Sequence, residues 1–410
     1  MSVVIIGAGH AGVEVASALR ILGDESDIVL VDAGSHLPYE RPPLSKAYLK
    51  GEAGLGSHPL RSPSFYEEKN IECRFGSTAR RVDRNTKRVM LDDGEVIEYD
   101  KLVLATGGRP RALPIKGAEL AGVHHLVTSD DAASLRSGLR SASDVVIVGG
   151  GYIGLEVAAA ARSMGKNVTV VEVQERLLSR VASGPLAQAV LATHCANGVE
   201  FRLHRAVVEI LGNDRAEGIV LDDGSQIAAE LVVVGIGSVP ETDLASLSGV
   251  ACGNGIIVDS NCRSSDPDIF AIGDVACRQA GEGTQSLRLE SVQNAVFQAR
   301  TVAGVIAGAP PRSAEVPWFW SDQYDMHIKI AGLAEPDDDL VIRPYPDNQV
   351  AVSVLHLRDG RLTCIETLNA TKDFIQGKKL ISSRVHIDPV LSEDSRAKLT
   401  ACQLEKEAIA

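Results

Sequence analysis

Two glycine clusters carry the most legible chemistry in this chain. Gly7-x-Gly9-x-x-Gly12 follows the apolar run Val3, Val4, Ile5, Ile6, and Gly149-x-Gly151-x-x-Gly154 follows Val145–Val148. In such a cluster the first glycine permits a tight turn and the second lets a pyrophosphate approach the backbone. The third lets the following helix pack closely on the strand. That helix turns its free N–H groups and the positive end of its dipole toward the phosphates. About 20 residues further on, an acid is expected where it can accept from a ribose hydroxyl. Asp32 stands there after the strand Ile28–Val31, and Glu172 after Val168–Val171. A lone glycine cluster would be weak evidence. Strand, glycines, helix, second strand and acid in register predict a dinucleotide site at both places.

The elements that position these residues are repeated as well. RVMLDDGEVIEYDKLVLATG (88–107) is answered by GIVLDDGSQIAAELVVVGIG (218–237). In each, a strand meets an Asp-Asp-Gly turn, a second strand returns, and a buried apolar strand ends in glycine. The repeat is therefore a duplicated domain. Between its acid and its turn the first copy is about ten residues longer, and the surplus holds HLPYERPPLSKAYLKGEAG. Two nucleotide sites imply either two substrates or one resident cofactor and one that exchanges. IFAIGDVA (269–276) favours the second, because it reads as an apolar strand ending in Gly273-Asp274. An acid there suits a sugar-like chain such as ribityl, although capping of the next segment explains it too. ESVQNAVFQARTVAGVI (290–306) reads as a helix whose N-terminus suits negative charge. From Trp318 onward the pattern changes to short alternating strands, with a hairpin over 350–368 turning at Asp359-Gly360.

Composition narrows the class. At 410 residues two or three domains are expected. A formal charge of −13 with dispersed basic residues argues against nucleic acid as a partner. No apolar run reaches the ~18 residues of a membrane span, and a strand pattern begins within two residues of the start, so neither membrane nor targeting segment is expected. The seven cysteines, Cys73, Cys195, Cys252, Cys262, Cys277, Cys364 and Cys402, form no CxxC or CxxxxC pair. That excludes the usual zinc and dithiol signatures and fits a reducing, cytoplasmic setting.

GAGHAGVEVA, ERPPLSKAYL, ATGGRPR, GGGYIGLEVA, IFAIGDVA, ESVQNA and VPWFWSDQY together resemble the FAD-dependent ferredoxin reductases. These are the NADH-oxidising components of bacterial cytochrome P450 and aromatic-ring dioxygenase systems, of the putidaredoxin reductase type. RPPLSKAYL and the tryptophan run are far more specific than the glycines, and the resemblance spans essentially the whole chain. It implies an α/β fold of two duplicated Rossmann-like domains, glutathione-reductase-like, plus a C-terminal α+β domain. The FAD domain would be split over 1–108 and 240–315, the NAD domain would cover 109–239, and 316–410 would cover the flavin. Carried over residue by residue, the resemblance assigns Gly7, Gly9, Ala11, Gly12, Asp32, Arg41, Ala79, Ala105, Thr106, Gly107 and Arg109 to FAD. It adds Lys46 beside flavin N5, Asp274 on the ribityl chain, Val292 at the pyrimidine edge and Trp320 near the ring. To NAD it assigns Gly149, Gly151, Tyr152, Ile153, Gly154, Glu156, Glu172, Arg180 and Gly237. Glu156 would meet Lys46 at the nicotinamide–flavin junction, and these two are the residues closest to a catalytic role. The family commonly has an arginine in the segment that here reads LVTSDDA, where Val127 stands. One adenine-side contact is thereby in question.

Glu172 favours NADH, since a carboxylate there accepts from the ribose 2′-OH and repels a 2′-phosphate. Arg176 and Arg180 lie just beyond it, and use of NADPH stays open. The electron acceptor follows from elimination and resemblance. Disulfide reductases of this fold need a cysteine pair in the first insert, which reads PPLSKAYL, and a C-terminal histidine where HIDPVLSE has Asp388. Single-cysteine oxidases and peroxidases need a thiol in the same insert. The resemblance then implies that hydride passes from NADH to FAD and electrons leave singly to a [2Fe–2S] ferredoxin, Rieske-type or putidaredoxin-type, that feeds an oxygenase. Arg300, Arg312, Lys378, Lys379 and Arg384 are candidates for its docking face. A reductase of a small acceptor, such as monodehydroascorbate or a quinone, and a redox-responsive binding protein like apoptosis-inducing factor remain as alternatives.

Overall fold

A computed structural model of the chain describes residues 1–279, 286–348 and 350–404. The chain divides into two units. One joins Met1–Glu40, Gly54–Arg109 and Ser238–Ala314; the other joins Arg41–Ala53, Pro110–Gly237 and Glu315–Ala410.

In the first unit the strand Ser2–Ile6 is the centre of a five-stranded parallel sheet. The order is Ile269–Ala271, Lys101–Leu104, Ser2–Ile6, Asp27–Asp32, Ile71–Phe75. Val3, Val4 and Ile5 are fully buried, as a strand covered on both faces must be, which is why the run has no polar alternation. The helix His10–Ile21 packs on this sheet and against the helix Val292–Ile306 through Val13, Ala16, Ala299 and Val302. An antiparallel flap of Ala79–Asp83, Arg88–Leu91 and Val96–Glu98 turns at Gly94, whose φ of +89° favours glycine.

The second unit repeats this plan. Its parallel sheet runs Val199–Leu203, Asn167–Glu172, Asp144–Val148, Leu231–Val234, Val123–His124. Its flap of Val207–Leu211, Gly218–Leu221 and Gln226–Ala228 turns at Gly224. The duplication extends to a register shift in the first strand of each flap, between Ala79 and Arg81 and between Val207 and Glu209. The insert residues 41–53 belong to this second unit, as a tight turn Pro42–Ser45 and a short helix Ala47–Lys50 closed by Gly51.

The same unit carries a five-stranded antiparallel sheet, ordered Trp318–Gln323, Met326–Gly332, Arg361–Leu368, Val352–Arg358, Asp339–Pro344. The expected hairpin turn is present, with Asp359 and Gly360 both at positive φ (49° and 71°), the pairing a two-residue type I′ turn requires. Leu357, Leu362 and Ile365 form one core with Phe374 and Leu380 of the helix Thr371–Ser383. Met326, Ile328 and Leu368 form another with Leu155, Leu186 and Val190. The chain thus combines two parallel α/β folds of one design with an antiparallel, helix-backed sheet. Among the described residues, no helix is long and apolar enough to cross a membrane.

Two elements differ from the sequence expectation. The strand at 269 stops at Ala271, because Gly273 takes φ +74° and opens a tight turn, Gly273–Val275, that contains Asp274. The helix expected from Glu290 begins at Val292, capped by Ser291, whose hydroxyl accepts from the Asn294 N–H at 3.2 Å.

Candidate functional site

In the second unit the three motif glycines answer to different causes. A Cβ on Gly149 (φ +110°) would lie 2.4 Å from the Gly235 carbonyl oxygen, and one on Gly154 would lie 2.4 Å from that of Gly149. Both glycines are demanded by the fold. Gly151 is not: its φ and ψ of −83° and 175° suit any residue, and a Cβ there would meet nothing within 4 Å. It fronts the helix Tyr152–Ser163, which has no side-chain cap and no acid in its first turn. The arrangement fits a pyrophosphate on free amides with no side chain in the way.

Glu172 is set beside this loop. Its carboxylate accepts from Gly150 N–H at 2.6 Å and from Gln174 N–H at 2.8 Å. A carboxylate has about four acceptor positions, so capacity remains for a ribose hydroxyl. Arg176 does not oppose this charge from open solvent. Its guanidinium donates to the carbonyls of Ala182 (2.8 Å), Ser179 (3.1 Å) and Leu177 (3.4 Å), which folds the loop around it. Arg180 reaches Gly237, where an added Cβ would lie 3.2 Å from its Nη2. Ile153 is exposed.

The first unit holds the same cradle. Cβ atoms on Gly7 and Gly12 would meet the carbonyl oxygens of Ala105 at 2.3 Å and Gly7 at 1.9 Å. Gly9 stands at the uncapped start of His10–Ile21, which also lacks an acid in its first turn. Asp32 accepts from Ala8 N–H at 2.5 Å and Gly34 N–H at 2.8 Å, the counterpart of Glu172. The Asp274 turn comes to this loop, since a Cβ on Gly273 would lie 3.2 Å from that of Ala11. Thr106 donates to the Glu241 carbonyl at 2.7 Å, Gly107 takes φ +67°, and Arg109 pairs with Glu241 at 3.2 Å. Ala79 opens the flap opposite Leu91, and Val292 is the first helical residue after Ser291. These residues fit a second dinucleotide. Arg41, Lys46 and Trp320, assigned to FAD with them, belong to the second unit.

Lys46 and Glu156 do meet. Glu156 is 6% exposed on Tyr152–Ser163, and its carboxylate lies 2.7 Å from the Lys46 ammonium. It also accepts from the Ser321 hydroxyl at 2.6 Å and from the hydroxyl of Ser45. Burying a carboxylate is costly unless it is paired and hydrogen-bonded, and this one is both. Sequence reasoning missed the two serines. Ser45 precedes Lys46 and Ser321 follows Trp320, but only the tertiary fold brings both to one carboxylate. Trp320 packs near Trp318, ring centroids 6.0 Å apart, and Tyr152 lies 4.6 Å from Phe319. Burial, then the nearby Glu366, Cys364 and Glu156, push the Tyr152 phenol far up, so it stays neutral.

Other expected residues have local duties. The Val127 N–H donates to Asp131 at 3.1 Å ahead of the helix Ser129–Ser141. Asp388 caps the helix Pro389–Glu393, accepting from the N–H groups of Val390 and Leu391 at 2.9 and 3.1 Å. Arg300 pairs with buried Glu14 at 2.7 Å, and the Lys378 ammonium sits over the Trp318 ring at 5.3 Å. Lys379 is exposed, Arg384 closes the helix Thr371–Ser383 at φ 52°, and Arg312 is engaged with a partner.

The family model for pyridine nucleotide-disulphide oxidoreductases matches residues 1–299, and that for the reductase C-terminal domain matches 318–403. Rhodocoxin reductase of Rhodococcus erythropolis is 42% identical over 96% of this chain and 92% of its own length. A rubredoxin–NAD(+) reductase of Pseudomonas putida is 41% identical over 91% of this chain and 97% of its own. The solved structure of putidaredoxin reductase joined covalently to putidaredoxin superposes with a TM-score of 0.94. It is 38% identical and covers 98% of this chain and 97% of that one. With two matching dinucleotide cradles and a C-terminal sheet of the reductase type, the chain belongs to the pyridine nucleotide-disulphide oxidoreductase family, in its putidaredoxin reductase-like group of ferredoxin reductases.

Proposed function

We propose that this chain is the flavin-dependent reductase of an oxygenase system, oxidising NADH and delivering electrons singly to a [2Fe–2S] ferredoxin. The observation that carries this is a pair of dinucleotide cradles in a chain whose seven cysteines are all free thiols, with none in the insert at 41–53. Dithiol chemistry has no residues here, so electrons must leave from the cofactor itself. FAD, when bound, accepts two electrons from NADH and releases them one at a time. The chain's residues bind and orient. Asp32 and the loop at Gly7–Gly12 hold FAD, and Glu172 with the loop at Gly149–Gly154 holds NADH. Glu172 selects against a 2′-phosphate, and Arg176, spent on loop carbonyls, does not offset that selection. Lys46 and Glu156 place a paired charge where the nicotinamide and flavin charges change. Free thiols and the family's oxygenase partners lead us to place the protein in the cytoplasm.

The test is anaerobic mixing of the purified yellow protein with NADH, and separately NADPH, following loss of oxidised-flavin absorbance. Fast bleaching by NADH, with colour returning only when an oxidised [2Fe–2S] ferredoxin is added, is the expected result. A second reading rests on the relative named for rubredoxin: recovery with a mononuclear rubredoxin, and none with ferredoxin, would replace the acceptor. Bleaching without recovery by either would indicate a small acceptor, and sluggish bleaching a binding protein.

A further inference from the structure

Behind Glu156 the second unit contains a line of buried polar groups that neither nucleotide site uses. Ser321 Oγ lies 2.6 Å from the Glu156 carboxylate, and Gln323 Nε2 lies 3.1 Å from Ser321 Oγ. His194 Nε2 lies 2.8 Å from Gln323 Oε1, and the Tyr324 hydroxyl lies 3.4 Å from His194 Nδ1. Ser321, Gln323 and His194 are each at most 1% exposed, and Tyr324 is half-buried. They come from the strand Trp318–Gln323, the turn after it and the helix Gly184–Ala196.

The donor direction is forced from one end. An ionised carboxylate only accepts, so Ser321 must donate its single proton to Glu156. Its oxygen is then left to accept, so Gln323 must present its amide nitrogen. The Gln323 oxygen therefore faces His194, which must carry its proton on Nε2, leaving Nδ1 to accept from Tyr324. Every donor points toward Glu156, and aligned bonds of this kind polarise one another.

We propose that Tyr324, His194, Gln323 and Ser321 form a one-way hydrogen-bond chain that holds the Glu156 carboxylate in place and aimed at Lys46, making Gln323 and His194 positioning residues for the reaction. The proposal rests on the assignment of Lys46 and Glu156 to that reaction. Without Gln323, the Ser321 hydroxyl is no longer held by a donor and rotates freely between Glu156 and other partners. A carboxamide in place of Glu156 can donate as well as accept, which removes the constraint that sets the direction.

The test uses the FAD-loaded enzyme in four forms: wild type, Glu156→Gln, Gln323→Leu and the double variant, with Ser321→Ala as a milder cut in the same chain. The His194 ring nitrogens are followed by 15N-histidine NMR, assigned with His194→Asn, and flavin reduction by NADH is followed anaerobically. The expected wild-type signature is a neutral ring protonated at Nε2. Glu156→Gln should shift the Nε2 proton resonance although two side chains intervene. Gln323→Leu and Ser321→Ala should each slow flavin reduction about fivefold, the equivalent of one net hydrogen bond, and the double variant should be no slower than Glu156→Gln alone. An Nδ1-protonated ring, an unmoved resonance in Glu156→Gln, or additive losses in the double variant would overturn the chain. A shifted resonance with unchanged flavin reduction in Glu156→Gln would instead overturn the assignment of Glu156 to the reaction.

Discussion

At the residue scale, the three glycines of one motif separate what folding needs from what a ligand needs. Gly154 touches the Gly149 carbonyl so closely that any Cβ forces the helix off the strand, while Gly151 has open space before it. Gly154→Ala is therefore expected to destabilise the fold by about 3 kcal/mol, as overpacking does. Gly151→Ala should cost at most about 1 kcal/mol, the ordinary penalty of alanine at a helix cap, yet weaken NADH binding strongly. Urea unfolding beside an NADH titration checks both, and the result expected is opposite orders of effect in the two assays. The glycines and the acids Asp32 and Glu172 were legible in the sequence because their constraints are local: a turn, a strand end, a spacing. Ser45 and Ser321 were not. They lie in separate segments, and only folding brings both to Glu156.

Elements show the same division. The hairpin at Asp359-Gly360 was readable because a two-residue type I′ turn demands positive φ at both positions, a demand that falls on residue type alone. What anchors the antiparallel sheet to the rest of its unit was not readable. Glu366 on the strand Arg361–Leu368 is 2% exposed, and its carboxylate accepts from the Ser183 N–H at 2.8 Å and from the Ser183 hydroxyl. Ser183 is the residue before the helix Gly184–Ala196, so a carboxylate from a distant strand caps that helix. The loop it closes is the one that Arg176 gathers. Glu366→Ala leaves a buried amide and hydroxyl without their acceptor and should cost about 1–3 kcal/mol. Glu366→Gln, which keeps one acceptor oxygen, should cost less. Hydrogen exchange of the first-turn amides of Gly184–Ala196 would report the loss, rising first in the alanine variant.

Across the whole molecule, resistance to acid should depend heavily on the second unit, because burial there favours the neutral form of two histidines, the fully buried His194 and the half-buried His124. Burial lowers the His194 pKa, against a smaller opposing pull from its bond to Gln323. Burial, then the charge of Arg215, lowers that of His124. In the unfolded chain both imidazoles titrate near ~6.5. Between that value and their lower folded values, the unfolded state binds more protons than the folded one. Stability is then fully present above about 6.5 and is lost as pH falls through the folded values. The sign is the reverse of that for a histidine gaining an acidic partner. His194→Gln places an amide donor where Nε2 sits and removes the titration. It should leave stability at pH 7.5 little changed relative to its loss on acidification. Denaturant midpoints measured at pH 7.5 and 5.5 should fall further in the wild type than in His194→Gln. Equal falls would place the acid sensitivity in the surface carboxylates that give the chain its charge of −13.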